Sequence, residues 1–394
     1  MKTMTDNNNL FFFLEGRIDT ANAAQTEKDI FDTIDANAGM EISFDANDLE
    51  YISSAGLRVL LKVAKTTGKK VRVTNVSRAV YEIFETTGFT ELLDVRKAYR
   101  RISVDGCEVI GKGFYGTVYR IDPETIVKVY ESPESLSMIE NEKRLARIAL
   151  VAGVPTAISY DIVRVGDSYG SVFELLNART FNDMLIENPG NVDEITKQYA
   201  QFLHLVNSQT VPEGKLESAK EKMMGYLDTV AKYLDTDLYG RLKDLIEAVP
   251  EQNYVIHGDA QMKNVMLRDG EPMLIDMDTL AAGHPIFDLQ SIYVSYFAFD
   301  EDEPDNCVKF LGVQPETTKR VWATFIGYYF DTDDEDRIAQ LRDKISIAGC
   351  IRFLFLIDLT TDHNTELFRL RIKHTTDRLR TLAYKTDTLL FDLP

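Results

Sequence analysis

The stretch His257-Gly258-Asp259-Ala260-Gln261-Met262-Lys263-Asn264, followed by Leu274-Ile275-Asp276-Met277-Asp278, constrains this chain more than any other feature. It reads as a polar loop, then a short apolar strand that ends on an acid. Moving a phosphoryl group onto a hydroxyl requires a carboxylate to orient the nucleophile and accept its proton. It also requires oxygen ligands that hold Mg²⁺ against nucleotide phosphates. The order His-x-Asp-x₄-Asn supplies Asp259 as the candidate base and Asn264 as a candidate metal ligand on one loop. Asp276 is the second metal ligand, with Asp278 as a further neighbour, and His257 is read as a brace for the loop. Taken singly, these would be ordinary loop residues. Taken in order, they form a chemical set.

Upstream stands Gly111-Lys112-Gly113-Phe114-Tyr115-Gly116-Thr117-Val118, a GxGxxGxV pattern. Glycines allow backbone N–H groups to close over phosphates, and Val118 can cover a base. By itself the pattern is weak and fits an ordinary glycine-rich hairpin. Dinucleotide-binding loops continue into a helix, whereas Thr117–Ile121 alternates like a strand, which favours the kinase type of loop. Lys128 follows on the alternating strand Ile126–Val129, where an ammonium needs an anion. Glu142, in the helix opened by Glu140-Asn141-Glu142-Lys143-Arg144, is the expected ion-pair partner, and Glu140 is read as solvated. Val172–Leu176, with Glu174, fits a hinge whose backbone meets adenine, and it equally fits a plain connector between lobes.

At 394 residues the chain has room for two or three domains. No apolar run approaches the ~20 residues of a membrane helix. The polar start Met1–Asn9 lacks the basic lead of a secretory signal, and Phe11–Leu14 is cut off by Glu15. Cys107, Cys307 and Cys350 are too scattered for a disulfide framework or a zinc site. These features predict a cytoplasmic protein. The first hundred residues carry 13 basic and 15 acidic side chains, while the remainder carries 31 and 48. So acidic a body repels nucleic acid and anionic lipid, and neither is expected as a partner.

The pattern divides the chain into residues 1–98, a connector at 99–106, a strand-rich lobe at 107–178 and a helical lobe at 179–394. The first segment alternates strands (Phe11–Ile18, Glu41–Asp45, Val71–Val76) with helical faces. One face is Leu57, Leu60, Leu61 and Ala64, closed by Gly68; another is Val80, Ile83 and Phe84, closed by Gly88. Ser53-Ser54-Ala55-Gly56 lies where a loop enters the Leu57–Thr67 helix. A serine there caps free N–H groups, and the same spot welcomes a phosphate. In the last segment, the acidic runs Asp300–Glu303 and Asp331–Asp336 are read as solvated loops. Trp322, Phe325, Tyr328, Tyr329 and Phe330 are read as core.

Two resemblances sit on these residues. The ISSAGLRVLL stretch, Thr86–Phe89 and the strand–helix order over residues 9–97 resemble a STAS domain, the anti-sigma-factor-antagonist fold. That resemblance implies reversible phosphorylation at the position of Ser54 and a kinase or anti-sigma partner; Ser53 and Ala55 depart from the family's Asp-Ser-Ser/Thr-Gly. From about Ile102 to Pro394 the chain resembles the aminoglycoside phosphotransferase family within the protein-kinase-like fold. ENEKR (140–144), HGDxxxxN, IDxD and Gly283–Leu289 carry the likeness. It implies a bilobal domain using ATP and Mg²⁺, with Asp288 anchoring the catalytic loop. Gln261 stands where protein Ser/Thr kinases have lysine.

The expectation is therefore a mixed α/β and α+β chain: a small STAS-type α/β domain followed by a kinase-like phosphotransferase. Asp259 is its base. Gly111, Gly113, Gly116, Val118, Lys128, Glu142 and Glu174 are its nucleotide contacts, Asn264 and Asp276 its metal ligands, and Ser54 its phosphorylation site. The acceptor is a small-molecule hydroxyl, or alternatively a serine of a STAS domain, Ser54 included. A third alternative is a scaffold that only senses nucleotide.

Overall fold

The computed structural model describes residues 2–6, 9–112, 116–132, 135–175 and 178–393. Gly113 of the glycine loop and Asn177 after the hinge lie outside the described residues. The chain divides into two compact units, Met1–Ser103 with Ile162–Asp167, and Val104–Asp161 with Ser168–Pro394.

In the first unit β1 (Lys2–Asp6), β2 (Asn9–Ile18), β3 (Glu41–Ile52), β4 (Arg72–Val76) and β5 (Asp94–Lys97) form one sheet in that order. β1 runs antiparallel to β2, and the other neighbours are parallel. Parallel neighbours need crossovers, supplied by α1 (Ala23–Ala36), α2 (Ser54–Thr67) and α3 (Arg78–Thr86), with α4 (Phe89–Leu92) before the last strand. Phe12, Phe44, Val73, Leu57, Leu60, Val63, Val80 and Phe84 fill the core. The α2 helix begins three residues earlier than its apolar face, because Ser53 caps it: its Oγ accepts from the N–H groups of Ala55 (3.2 Å) and Gly56 (3.4 Å). Gly68, at φ 67°, ends it.

The expected connector is not wholly irregular. Arg100–Ile102 is a strand, β6, paired in parallel with β10 (Asp161–Val165). A basic triplet without apolar alternation gives no strand signal, so only the pairing reveals it.

In the second unit β7 (Glu108–Lys112), β8 (Gly116–Asp122), β9 (Thr125–Tyr130) and β11 (Ser168–Glu174) form an antiparallel run in the order β7-β8-β9-β11. The helix α5 (Leu136–Val151) follows β9. The short strand β12 (Ala178–Thr180) leads into α6 (Phe181–Glu187), α7 (Val192–Ser208), α8 (Ala219–Val230) and α9 (Thr236–Glu247). Next come β13 (Tyr254–Ile256), β14 (Val265–Arg268), β15 (Glu271–Leu274) and β16 (Ala281–Gly283), in two small sheets, β12-β14-β15 and β13-β16. Then α10 (Ile286–Tyr293) passes through a π-helical turn, Val294–Ala298, into α11 (Phe299–Glu301). The chain ends with α12 (Asn306–Phe310), α13 (Pro315–Tyr329), α14 (Glu335–Thr360) and α15 (Glu366–Lys385). Trp322, Phe325, Tyr329 and Phe330 are buried in this helical core and Tyr328 packs against it.

The run at 300–303, read as a solvated loop, is instead clamped. Glu303 bridges Arg371 (3.2 Å), Glu301 bridges Arg378, and Asp302 meets His374 at 2.6 Å. All three partners lie on α15, about 70 residues away, out of reach of local pattern reading.

Candidate active site

The lysine strand shows why its neighbours are what they are. Gly116 pairs with Tyr130 across the β8–β9 ladder, where a Cβ would stand 2.1 Å from the Val129 carbonyl oxygen. A side chain there would break the ladder. Gly111 is different: its Cβ would make ordinary contact with Val118 at 3.8 Å. Val118 is half-buried and stands opposite Lys128.

Lys128 Nζ contacts the Asp276 carboxylate and lies 3.7 Å from Glu142 Oε1. Glu142 is buried on α5 and accepts a hydrogen bond from Tyr130 Oη at 2.5 Å. Burial works to lower the Lys128 pKa, but the Glu142 and Asp276 charges outweigh it and keep the ammonium protonated well above the ordinary lysine value. One lysine thus ties the strand lobe's carboxylate to the acid at the end of β15.

The loop after β13 is held from every side. Gly258 takes φ 85°, a conformation open to glycine, and a Cβ there would sit 2.9 Å from the Thr279 carbonyl. Asp288, fully buried, accepts from the N–H groups of His257 (3.1 Å) and Gly258 (2.8 Å) and from Asn207 Nδ2 (2.7 Å). Tyr329 Oη in turn donates to Asn207 Oδ1 (2.8 Å). Burial raises the Asp288 pKa, while these donors favour its anion. His257 Nε2 lies 3.0 Å from the Ile275 carbonyl, an acceptor only, so the proton belongs on Nε2 and Nδ1 accepts from the Asp259 N–H at 3.3 Å. That neutral tautomer makes His257 a brace between the two halves of the motif. Tyr199 Oη donates to the Ala260 carbonyl, and Tyr296 Oη accepts from the Met262 N–H at 3.0 Å.

Asp259 Oδ2 accepts from Asn264 Nδ2 (2.9 Å) and Gln261 Nε2 (3.0 Å). Among the described residues its Oδ1 takes no hydrogen bond. Because Asn264 spends its amide N–H₂ on Asp259, its Oδ1 is left as an acceptor for a cation. Asp276 adopts φ 56°, and two residues on Asp278 is half-buried. Burial, and then the Asp276 charge, push the Asp278 carboxyl up, against a smaller opposing pull from Lys128. Two carboxylates and an amide oxygen fit Mg²⁺, which takes one or two carboxylates and completes its shell with phosphate and water. Among the described residues no cluster of three or more His, Cys, Asp or Glu would hold a metal alone. A site completed by a nucleotide needs none.

Glu174 ends β11 with an exposed carboxylate that pairs with Arg268 at 3.2 Å, a side-chain contact that leaves the backbone of the expected hinge free of it. In the first unit Ser54 is the first residue of α2 and exposed, and the cap is Ser53. Tyr199, Asn207 and Tyr296 are not among the expected site residues, and Tyr329 is expected only as core. No local motif marks them, since each reaches the loop or its anchor from another helix.

Fold and site together define a kinase-like phosphotransferase preceded by a small parallel-sheet domain. Comparison with known families agrees: the model of the phosphotransferase enzyme family matches residues 106–324, and that of the STAS domain residues 1–102. The chain belongs to the phosphotransferase enzyme family and carries an N-terminal STAS domain. A curated relative named as an anti-sigma factor antagonist, BtrV of Bordetella bronchiseptica, is 35% identical over 85 residues, 21% of this chain and 72% of its own length. Similar solved structures include a choline/ethanolamine kinase family protein from Mesorhizobium loti (15% identity, 70% of this chain and 87% of that one, TM-score 0.44). Another is a thermostable aminoglycoside phosphotransferase APH(4)-Ia with ADP and hygromycin B (13% identity, 78% and 98%, TM-score 0.48). Among the described residues no helix is long and apolar enough to cross a membrane.

Proposed function

We propose that this phosphotransferase moves the terminal phosphoryl group of ATP to an acceptor hydroxyl, with Mg²⁺, and that its STAS domain couples this activity to a protein partner. The observation that carries the reading is the state of Asp259. One oxygen is fixed by Asn264 and Gln261, and the other is left for an acceptor proton. Lys128 orients the nucleotide's phosphates from a strand whose charge is held by Glu142. Asp276, Asn264 and Asp278 would hold Mg²⁺, which neutralises charge developing on the transferred group. Asp259 Oδ1 orients the hydroxyl and takes its proton as the O–P bond forms and ADP leaves. The loop's N–H and C=O groups are already bonded to Asp288, Tyr199 and Tyr296, so the base needs little reorganisation.

The exposed Ser54 hydroxyl at the start of α2 favours a second reading, in which the acceptor is a STAS serine. Intact-mass measurement after incubation with ATP and Mg²⁺ separates the two. One added phosphate, absent from both Ser54→Ala and Asp259→Asn, makes the protein its own acceptor. ADP release with no mass change, lost in Asp259→Asn by at least ~10²-fold, means that the phosphoryl group goes to water in place of a separate hydroxyl and not to the protein. Turnover retained in Asp259→Asn would overturn both.

A further inference from the structure

The helix behind the catalytic loop has a second face. Tyr296 turns its hydroxyl to the loop, whereas Tyr293 and Phe297 line a cavity of about 610 Å³ with Trp322 of α13 and Arg342 of α14. None of Lys128, Asp259, Asn264 or Asp276 lines it. One wall is aromatic, with the Trp322 ring 5.6 Å from that of Tyr293 and 6.0 Å from that of Phe297, and the rest is mostly polar, His374 with its partner Asp302 included.

The acids at this cavity are already matched. Glu301 pairs with Arg378, which also donates to Tyr293 Oη at 2.8 Å; Asp343 pairs with Lys385 at 2.5 Å, and Asp377 with Lys373 at 2.8 Å. Arg342 is the exception. Its guanidinium lies 6.0 Å from the Trp322 ring, and Nη2 reaches only the Ala323 carbonyl, at 3.4 Å. Its Nε is buried with no hydrogen-bond partner, and among the described residues no carboxylate lies within ion-pair distance. Other half-buried arginines without an acid are served differently, Arg241 by two backbone carbonyls and Arg352 by the Tyr226 ring at 4.6 Å, whereas the Arg342 Nε has nothing. A buried donor without an acceptor is a standing cost.

We propose that this cavity binds a planar aromatic carboxylate, at a site separate from the phosphoryl-transfer centre. The ring packs on Phe297 and Trp322, and the carboxylate accepts from Arg342, matching its fork of donors and satisfying Nε. The volume lies in the range of small-molecule sites. A cationic ligand is disfavoured because Glu301, Asp343 and Asp377 each already hold a cation.

Trp322 is the chain's single tryptophan, so its fluorescence reports this cavity alone. Benzoate titrated into the full-length protein is expected to change Trp322 emission saturably and to raise the melting temperature. Arg342→Gln is expected to weaken both responses about tenfold or more, and Arg342→Lys, which keeps the charge but not the fork, to recover part of them. Circular dichroism confirms that the variants fold. The proposal is overturned if benzoate produces no saturable change in either measurement, or binds Arg342→Gln as well as the unaltered chain. A response to tetramethylammonium in place of benzoate would overturn it equally.

Discussion

Asp278 sits two residues beyond Asp276, half-buried, with its carboxyl pushed above the ordinary value of 3.8 by burial and by the neighbouring charge. A raised carboxyl pKa means that the folded state binds the proton more tightly than the unfolded state. The ionised group therefore destabilises the fold at neutral pH, and the penalty fades as pH falls from the folded value toward 3.8. Asp278→Asn is expected to raise the melting temperature of the Mg²⁺-free protein at neutral pH, with a gain that shrinks on acidification, and to weaken Mg²⁺ binding. Thermal melts across pH, with and without Mg²⁺, check the sign. A melting temperature lowered by the substitution at neutral pH would mean that the carboxylate is structural. His284 works in the opposite direction. It is buried, and burial holds its pKa below 6.5, so folding keeps it neutral and stability falls as the unfolded chain protonates below 6.5. His204, also lowered by burial, adds to it in the same range, so acid sensitivity there belongs to these two histidines and not to Asp278.

Helix entry and loop anchoring decide the next scale. The α2 helix crosses the sheet so closely that a Cβ on Gly56 would lie 2.7 Å from both Ile18 Cγ2 and Ile52 Cγ1. Gly56→Ala is therefore expected to destabilise the first unit by ~1–3 kcal/mol, measured as a shift in its denaturant midpoint. The Leu57, Leu60 and Ala64 face was legible in the sequence because helical periodicity needs no partner. The earlier start at Ser54 and the extension of β3 to Ile52 depend on the cap and on strand pairing. β1 was not legible at all: Lys2–Thr5 is exposed and mostly polar, and it is a strand only because β2 pairs with it. The site divides in the same way. Asp259, Asn264 and Asp276 announce themselves because their chemistry is packed into eighteen residues, 259–276. The π turn that brings Tyr296 to the Met262 N–H is invisible in a helix buried on every side, whose sequence carries no one-sided apolar period. Tyr296→Phe leaves that buried N–H without an acceptor, at a cost of ~1–3 kcal/mol. It is expected to lower kcat with little change in the KM for ATP, since the phenol holds the base's loop and not the phosphates. Steady-state kinetics at varied ATP distinguishes this from a loss of binding.

At the scale of the whole chain the two buried cores share no residue. One is built around Phe12, Phe44 and Leu60, the other around Tyr199, Phe325 and Leu354. Each unit therefore carries its own hydrophobic stabilisation, and heating is expected to give two calorimetric transitions. Gly56→Ala should move only one of them, which assigns it to the first unit. In the proposed function ATP and Mg²⁺ are held by residues of the second unit, so on that reading they should raise only the other transition, by an amount that grows with the logarithm of ligand concentration. If ATP and Mg²⁺ also raise the transition that Gly56→Ala lowers, nucleotide binding and the STAS fold are energetically linked. By reciprocity, whatever the STAS domain binds must then alter the affinity for nucleotide by the same factor. If that transition stays fixed, the STAS domain can act on phosphoryl transfer only by bringing a partner to it.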